Sequence, residues 1–264
     1  LPTPVAIELL GRYVARSQRL RRSGVLLALV LALSASIVLG TVDPARTANG
    51  LDLVRLATIG LAGSLTGAIA AEAFRLRRPA GARSAGLELR RVDDYADPAA
   101  QRREHLVLAA AGVGVLGGVA SGTAVGAAAW GAVVALVAVA RRWAIGRIAT
   151  RPRPAIAPHV AEADDRVRRL AAGEGVSRPA SCLSALLVAA QFGGLGEPLR
   201  SAGALVAAGW TVAAVVWWWR GRTLGLSPIE QDAIGGTRSH LVGWMVAVLG
   251  LVLLSALLVV AARG

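Results

Sequence analysis

Residues 105–140 read HLVLAAAGVGVLGGVASGTAVGAAAWGAVVALVAVA, and the division of this stretch decides the fold. It is 36 residues long. As one helix it would extend ~54 Å, whereas a bilayer core of ~30 Å is crossed by about 20 apolar residues. The polar break Ser121-Gly122-Thr123 splits it into two spans, 105–120 and 124–140, joined as a hairpin. Working outward, five more apolar stretches qualify: 24–41, 52–74, 180–199, 201–219 and 240–261. The expected fold is an all-α polytopic transmembrane bundle. A cytoplasmic or interfacial segment 1–23 precedes a single transmembrane domain over 24–264. The stretch 180–199 is the weakest, with Gln191 in mid-run and Gly193-Gly194 near its far end. If it is re-entrant, six spans remain; backbone satisfaction at membrane depth favours a whole helix and seven.

Charge patterning tests that choice. The chain has 29 basic residues, every one an arginine. The segments 1–23, 75–104, 141–178 and 220–239 hold 25 of them and 12 acids, which accounts for the entire net charge of +13. Only if 180–199 crosses do all four segments fall on one side, as basic loops retained in the cytoplasm do. The arginines therefore support seven spans with the N-terminus cytoplasmic, in a multi-pass protein of the cell (plasma) membrane.

Composition agrees. The apolar fraction is 55%, mean hydropathy is +0.57 and charged residues are 17%, against about 25% charged in soluble domains. A pI near 11.7 would suggest nucleic acid for a soluble chain. With the arginines set between apolar spans, no nucleic-acid partner is expected. Anionic headgroups at the cytoplasmic face are, at about 1 kcal/mol per basic residue. Arginine in place of lysine, with abundant alanine, reads as the habit of a GC-rich genome. Cys182 stands alone, which excludes an internal disulfide and a Cys-based zinc site; a buried, inert thiol is expected. The chain opens on Leu1, so a trimmed or missing native start is expected. No cleavable signal peptide is evident, because the first apolar run follows five arginines and continues into a full span.

Residues 4–17 place Ala6, Leu9, Leu10, Tyr13 and Val14 on one helical face, which fits an interfacial helix as well as a disordered basic tail. Trp143, Trp217-Trp218-Trp219 and Trp244 mark inner span ends as an aromatic belt. Gly63-x-x-x-Gly67, Gly114-x-x-x-Gly118 and Gly118-x-x-x-Gly122 predict close helix packing, within the chain first and between copies second.

Several residues could carry chemistry. Asp93-Asp94-Tyr95-Ala96-Asp97 spells D-D-x-x-D, and carboxylates on adjacent turns can hold Mg²⁺ against a diphosphate. The partner cluster would be Glu162, Asp164 and Asp165 in the next basic loop. The competing reading makes Asp97 an N-cap ahead of Pro98 at the first helical position, opening a short helix into span three. In that reading Asp93 and Asp94 are solvated beside Arg90 and Arg91. His159-x-x-Glu162 reads better as part of an amphipathic helix over 159–171 with Val160, Val167 and Leu170 on its apolar face. Ionisable groups at membrane depth are the usual functional pointers, and the polar candidates are Arg55, Glu72 and Gln191. Arg55 and Glu72 lie ~25 Å apart along one helix, cannot pair, and sit near enough to the interfaces to snorkel. No Walker A, G-x-S-x-G or H-E-x-x-H motif is present. A weak echo links Arg77-Arg78-Pro79-Ala80 before Asp93-Asp94 with Arg153-Pro154-Ala155 before Asp164-Asp165, as hairpin duplication would.

The segments Gly86-Leu87-Glu88-Leu89-Arg90-Arg91-Val92-Asp93-Asp94-Tyr95, Ile148-Ala149-Thr150-Arg151-Pro152-Arg153-Pro154-Ala155 and Ala163-Asp164-Asp165-Arg166-Val167-Arg168 resemble a group of uncharacterised actinobacterial multi-pass membrane proteins. Those carry an RxxxDY turn after the second span and an RPxPA…ADD segment after the fourth. The resemblance covers roughly 85–170. It departs where Arg169 to Arg178 precedes the next apolar run. It implies a transport-associated role through association with exporter genes, and no catalytic activity. The expected function is thus a transport-associated membrane component or accessory subunit, with a membrane protein or ATPase as partner and no cofactor. Two other readings are a Mg-dependent membrane enzyme acting on a lipid-linked diphosphate through Asp93, Asp94 and Asp97, and a membrane scaffold or assembly factor.

Overall fold

The computed structural model describes residues 15, 19–32, 34, 53–75, 94, 95, 97–150, 158–197 and 199–220. Among them there is no strand. Helix α1 runs within 19–32, α2 is Leu53–Arg75, α3 is Pro98–Ala120 and α4 is Ala124–Ala149. Helix α5 is Pro158–Leu170, followed without a break by a π-helical stretch Ala171–Ser177 and α6, Arg178–Gly193; α7 is Arg200–Arg220. Among the described residues three helical stretches are long and apolar enough to cross a membrane: Pro98–Ala120, Ala124–Ala149 and Arg200–Trp218. The expected span 240–261, the amphipathic stretch 4–17 apart from Ala15, Asp93 and Trp244 lie outside the described residues.

The hairpin within 105–140 forms where the polar break stands. Ser121 N–H bonds Gly117 O at 2.9 Å and Thr123 N–H bonds Gly118 O at 2.8 Å. Gly122 turns the chain at φ 73°, a left-handed conformation that side chains with a Cβ resist. At the other end of α3 the helix starts seven residues before the expected span. Asp97 caps it, accepting the Ala99 N–H at 2.9 Å, and Pro98 occupies the first turn. The capped turn runs straight into the span.

Helix α6 is the centre of the molecule. Its sequence RPASCLSALLVAAQFG is apolar or small on every face, and it packs against α2, α3, α4 and α7. A helix apolar all round must be covered on all sides, and here Ala185 and Val188 are fully enclosed. The outer helices instead leave large apolar side chains uncovered, among them Leu116 on α3, Val125 and Leu136 on α4 and Leu205 on α7. Cys182 is buried in α6 as a free thiol, with Sγ 3.4 Å from Ala214 O.

Chain direction follows from the contacts. The 194–199 loop between α6 and α7 lies beside the α3–α4 turn, since a Cβ on Gly196 would stand 3.9 Å from Ser121 Cβ. At the opposite end Arg103 of α3 lies 5.9 Å from the Trp217 ring of α7, and Arg178 of α6 lies 5.1 Å from the Trp218 ring. Helix α6 therefore runs the length of the α3–α4 hairpin and α7 returns. One end carries the two turns and Arg200, the other Arg103, Arg141, Arg142 and Arg178. The helix of α6 stops at Gly193, and residues 194–197 lie outside it, so the helix ends before the expected bound at 199.

Helices α1 and α2 cross where both are bare of side chains. Gly63 abuts Gly24 backbone, and Gly67 abuts Leu20 and Arg21 backbone. Any Cβ at Gly63 would fall 2.7 Å from Ala28 Cβ, so the crossing depends on glycine there.

Candidate functional site

Along the contact of α6 with the α3–α4 hairpin, buried polar groups stand at two levels. The first is Gln191, two residues before the end of α6 and thus near the turn end rather than in mid-span. Its Nε2 donates to Ala111 O of α3 at 3.0 Å and to Ala127 O of α4 at 2.8 Å, tying α6 to both arms of the hairpin. Two carbonyl partners require the amide nitrogen there, so the amide orientation is determined by the network. Gly114 makes room for it: a Cβ at that position would stand 2.5 Å from Gln191 Cδ. The amide Oε1 has no partner among the described residues. Gly118 abuts Ala127 across the hairpin, whereas Gly122 has open space around it and serves the turn, not packing.

The second level is the arginine end. Glu104 of α3 is buried at 8% exposure and receives two consecutive arginines of α4. Arg141 Nη1 bonds Glu104 Oε2, and Arg142 Nε bonds Oε1 at 2.5 Å. Arg141 is 3% exposed, yet its Nε and Nη2 have no partner among the described residues, and neither has Arg103 Nε. Arg103 is held by Asp97 Oδ2 at 3.3 Å. A cavity of about 10 Å³ opens here, lined by Arg103, Glu104, Arg141, Ser181, Ser184 and the apolar side chains of Val107, Leu108, Val134, Val137, Ala138 and Ala180. That volume matches about one water molecule.

This cluster was readable in principle. Glu104 stands about as far before Gly122 as Arg141 stands after it, so an antiparallel hairpin brings them level. Counting both as loop charges conceals the pairing.

Below it, α5 is pinned to α4. Arg168 is fully buried; its Nη1 donates to Ile148 O at 3.0 Å and Ala149 O at 3.3 Å, and its Nε to Asp164 Oδ2 at 2.7 Å. A guanidinium on the last carbonyls of α4 both satisfies them and meets the negative helix end. In the π-helical stretch, Glu174 pairs with Arg178 at 2.5 Å, and Arg21 of α1 donates to Glu174 O at 3.4 Å.

The described members of the acidic motif, Asp94 and Asp97, each have partners within the chain. Asp97 spends one oxygen on the α3 cap and the other on Arg103. Tyr95 bridges to the second acidic segment, its hydroxyl donating to Asp165 Oδ1 at 3.1 Å. Burial, then the Asp165 carboxylate, pushes the Tyr95 phenol up to about 12. Asp94 also has an interaction partner, and Asp164 is committed to Arg168. Among the described residues no group of three His, Cys, Asp or Glu side chains is placed to hold a metal ion, so no Mg²⁺ step is derived from them.

Arg55 falls in the first turn of α2, and Glu72, near its end, is buried at 7% exposure with a partner of its own. Searches against family models, curated proteins and solved structures found no match for this chain.

Proposed function

We propose that this chain is a non-enzymatic, transport-associated component of the plasma membrane, an accessory subunit to a permease or ATPase. In this reading it has seven spans and a cytoplasmic N-terminus, with α6 as the fifth crossing. The observation that carries the accessory role is the contrast between interior and exterior. The interior around Gln191 is closed by backbone and small residues, and the polar cavity at Arg141 holds about 10 Å³, room for about one water. The exterior of α3, α4 and α7 is apolar and open, with Val125 at 87% and Leu205 at 77% exposure, and suits lipid or neighbouring helices. The link to transport itself rests on the actinobacterial resemblance over roughly 85–170. A scaffold or assembly role would share the same support but not the transport phenotype.

Affinity purification from native membranes, followed by mass spectrometry, tests the reading. A permease or ATPase is expected in stoichiometric amount, and deletion of the chain is expected to lower export. A chain that purifies alone and whose loss leaves export unchanged overturns it.

A further inference from the structure

We propose that the cavity between α3, α4 and α6 is an anion site that takes a phosphate oxygen, from a lipid headgroup or from free phosphate. Three observations converge on it. The donors are in place: Arg141, 97% removed from solvent, lines the cavity with Nε and Nη2 unpartnered, and Arg103, lining the same cavity, has Nε unpartnered. A guanidinium presents a rigid fork of N–H donors matched to phosphate oxygens. The charge is weighted to the cation: among the described residues Arg103, Arg141 and Arg142 pair with Asp97 and Glu104 alone, and the surplus charge sits on Arg142, whose side chain is 62% exposed and reaches solvent at the mouth of the cluster. The size is selective: about 10 Å³ admits one oxygen-sized atom, so a single phosphoryl oxygen enters and the rest of the group stays outside the enclosed part.

Depth fits a headgroup as well as a solute. Glu104 lies 17 residues from Ser121, or ~26 Å along α3, close to the thickness of one bilayer core. Trp143, 52% exposed beside Arg147, marks the same end of α4. The site rests on membrane residence and not on the accessory role, so failure to recover a transport partner leaves it standing.

The test uses the full chain in zwitterionic micelles. Native mass spectrometry measures retention of phosphatidylglycerol against phosphatidylcholine, and thermal unfolding is followed with and without inorganic phosphate. Preferential retention of one phosphatidylglycerol identifies a lipid site. A rise in unfolding temperature with inorganic phosphate, without lipid preference, identifies a free-phosphate site. Arg103→Gln, at a side chain 31% exposed, is expected to weaken either signal about tenfold, the loss of one charge-assisted hydrogen bond. Glu104→Gln with Arg141→Gln removes the buried pair together, so folding survives while binding falls to a similar degree. Equal retention of both lipids with no phosphate effect overturns the proposal, as does wild-type binding by both variants.

Discussion

Glu104 shows how one side chain commits two helices. Its carboxylate is enclosed between α3 and α4 and has both oxygens bonded to arginines. Removing one member of a buried pair leaves the other charge stranded, at a cost of about 3–5 kcal/mol. Glu104→Ala is therefore expected to destabilise the fold by that amount in unfolding titrations in mixed micelles, and Glu104→Gln with Arg141→Gln to recover most of it. Equal loss in the single and double variants would mean that the pair contributes no coupling. Tyr95 gives a second check at this scale. Its folded value of about 12 lies above the ordinary ~10 of a free tyrosine. The stabilisation from its buried, protonated hydroxyl is fully present below pH 10 and is lost as pH rises from 10 through 12. A phenolate absorbance titration should show one late-titrating tyrosine that Tyr95→Phe removes; a single transition near 10 in both proteins would contradict the Tyr95–Asp165 contact. Neither residue stands out in the sequence, where Glu104 is one acid among loop charges and Tyr95 is a letter inside an acidic motif.

The hairpin of α3 and α4 was legible as an element, because Ser121-Gly122-Thr123 interrupts an apolar run too long for one crossing. So was the start of α3, because Asp97-Pro98 is a capping pair and the structure uses it as one. The bounds of α6 were not. Gly193-Gly194 and Glu197-Pro198 interrupt the run, but Leu195 and Leu199 lie among them and blur where the helix yields to the loop. The join from α5 into α6 escaped as well, since the π-helical Ala171–Ser177 carries two glycines and a glutamate that read as a linker. The antiparallel course of α6 and α7 predicts a contact that hydropathy does not. With Cβ atoms 3.9 Å apart, within the range of a disulfide, Ser121→Cys with Gly196→Cys in a Cys182→Ala background should cross-link on mild oxidation. Mass spectrometry of tryptic peptides checks this, and an unlinked double variant would argue against the adjacent turns.

Across the described helices, one end collects Arg103, Arg141, Arg142 and Arg178 and the other the two turns with Arg200. If the basic end faces the cytoplasm, single cysteines replacing Gln101 and Gly194 in the Cys182→Ala background should react from opposite sides with a membrane-impermeant maleimide. Gln101→Cys should react only in inside-out vesicles and Gly194→Cys only in intact cells. Labelling of both from one side would remove the fifth crossing and favour the six-span alternative. The sequence by itself determined the membrane class, the division of 105–140 and the confinement of net charge to alternate segments, because each depends on local composition summed along the chain. Only the tertiary structure decided that α6 is the enclosed helix and α7 an outer one, that Gln191 ties the hairpin together and that Arg141 is buried with donors to spare. The reason is physical. Lipid tails and a protein interior are equally apolar, so an apolar helix reads the same whether lipid or other helices cover it, and only packing distinguishes the two.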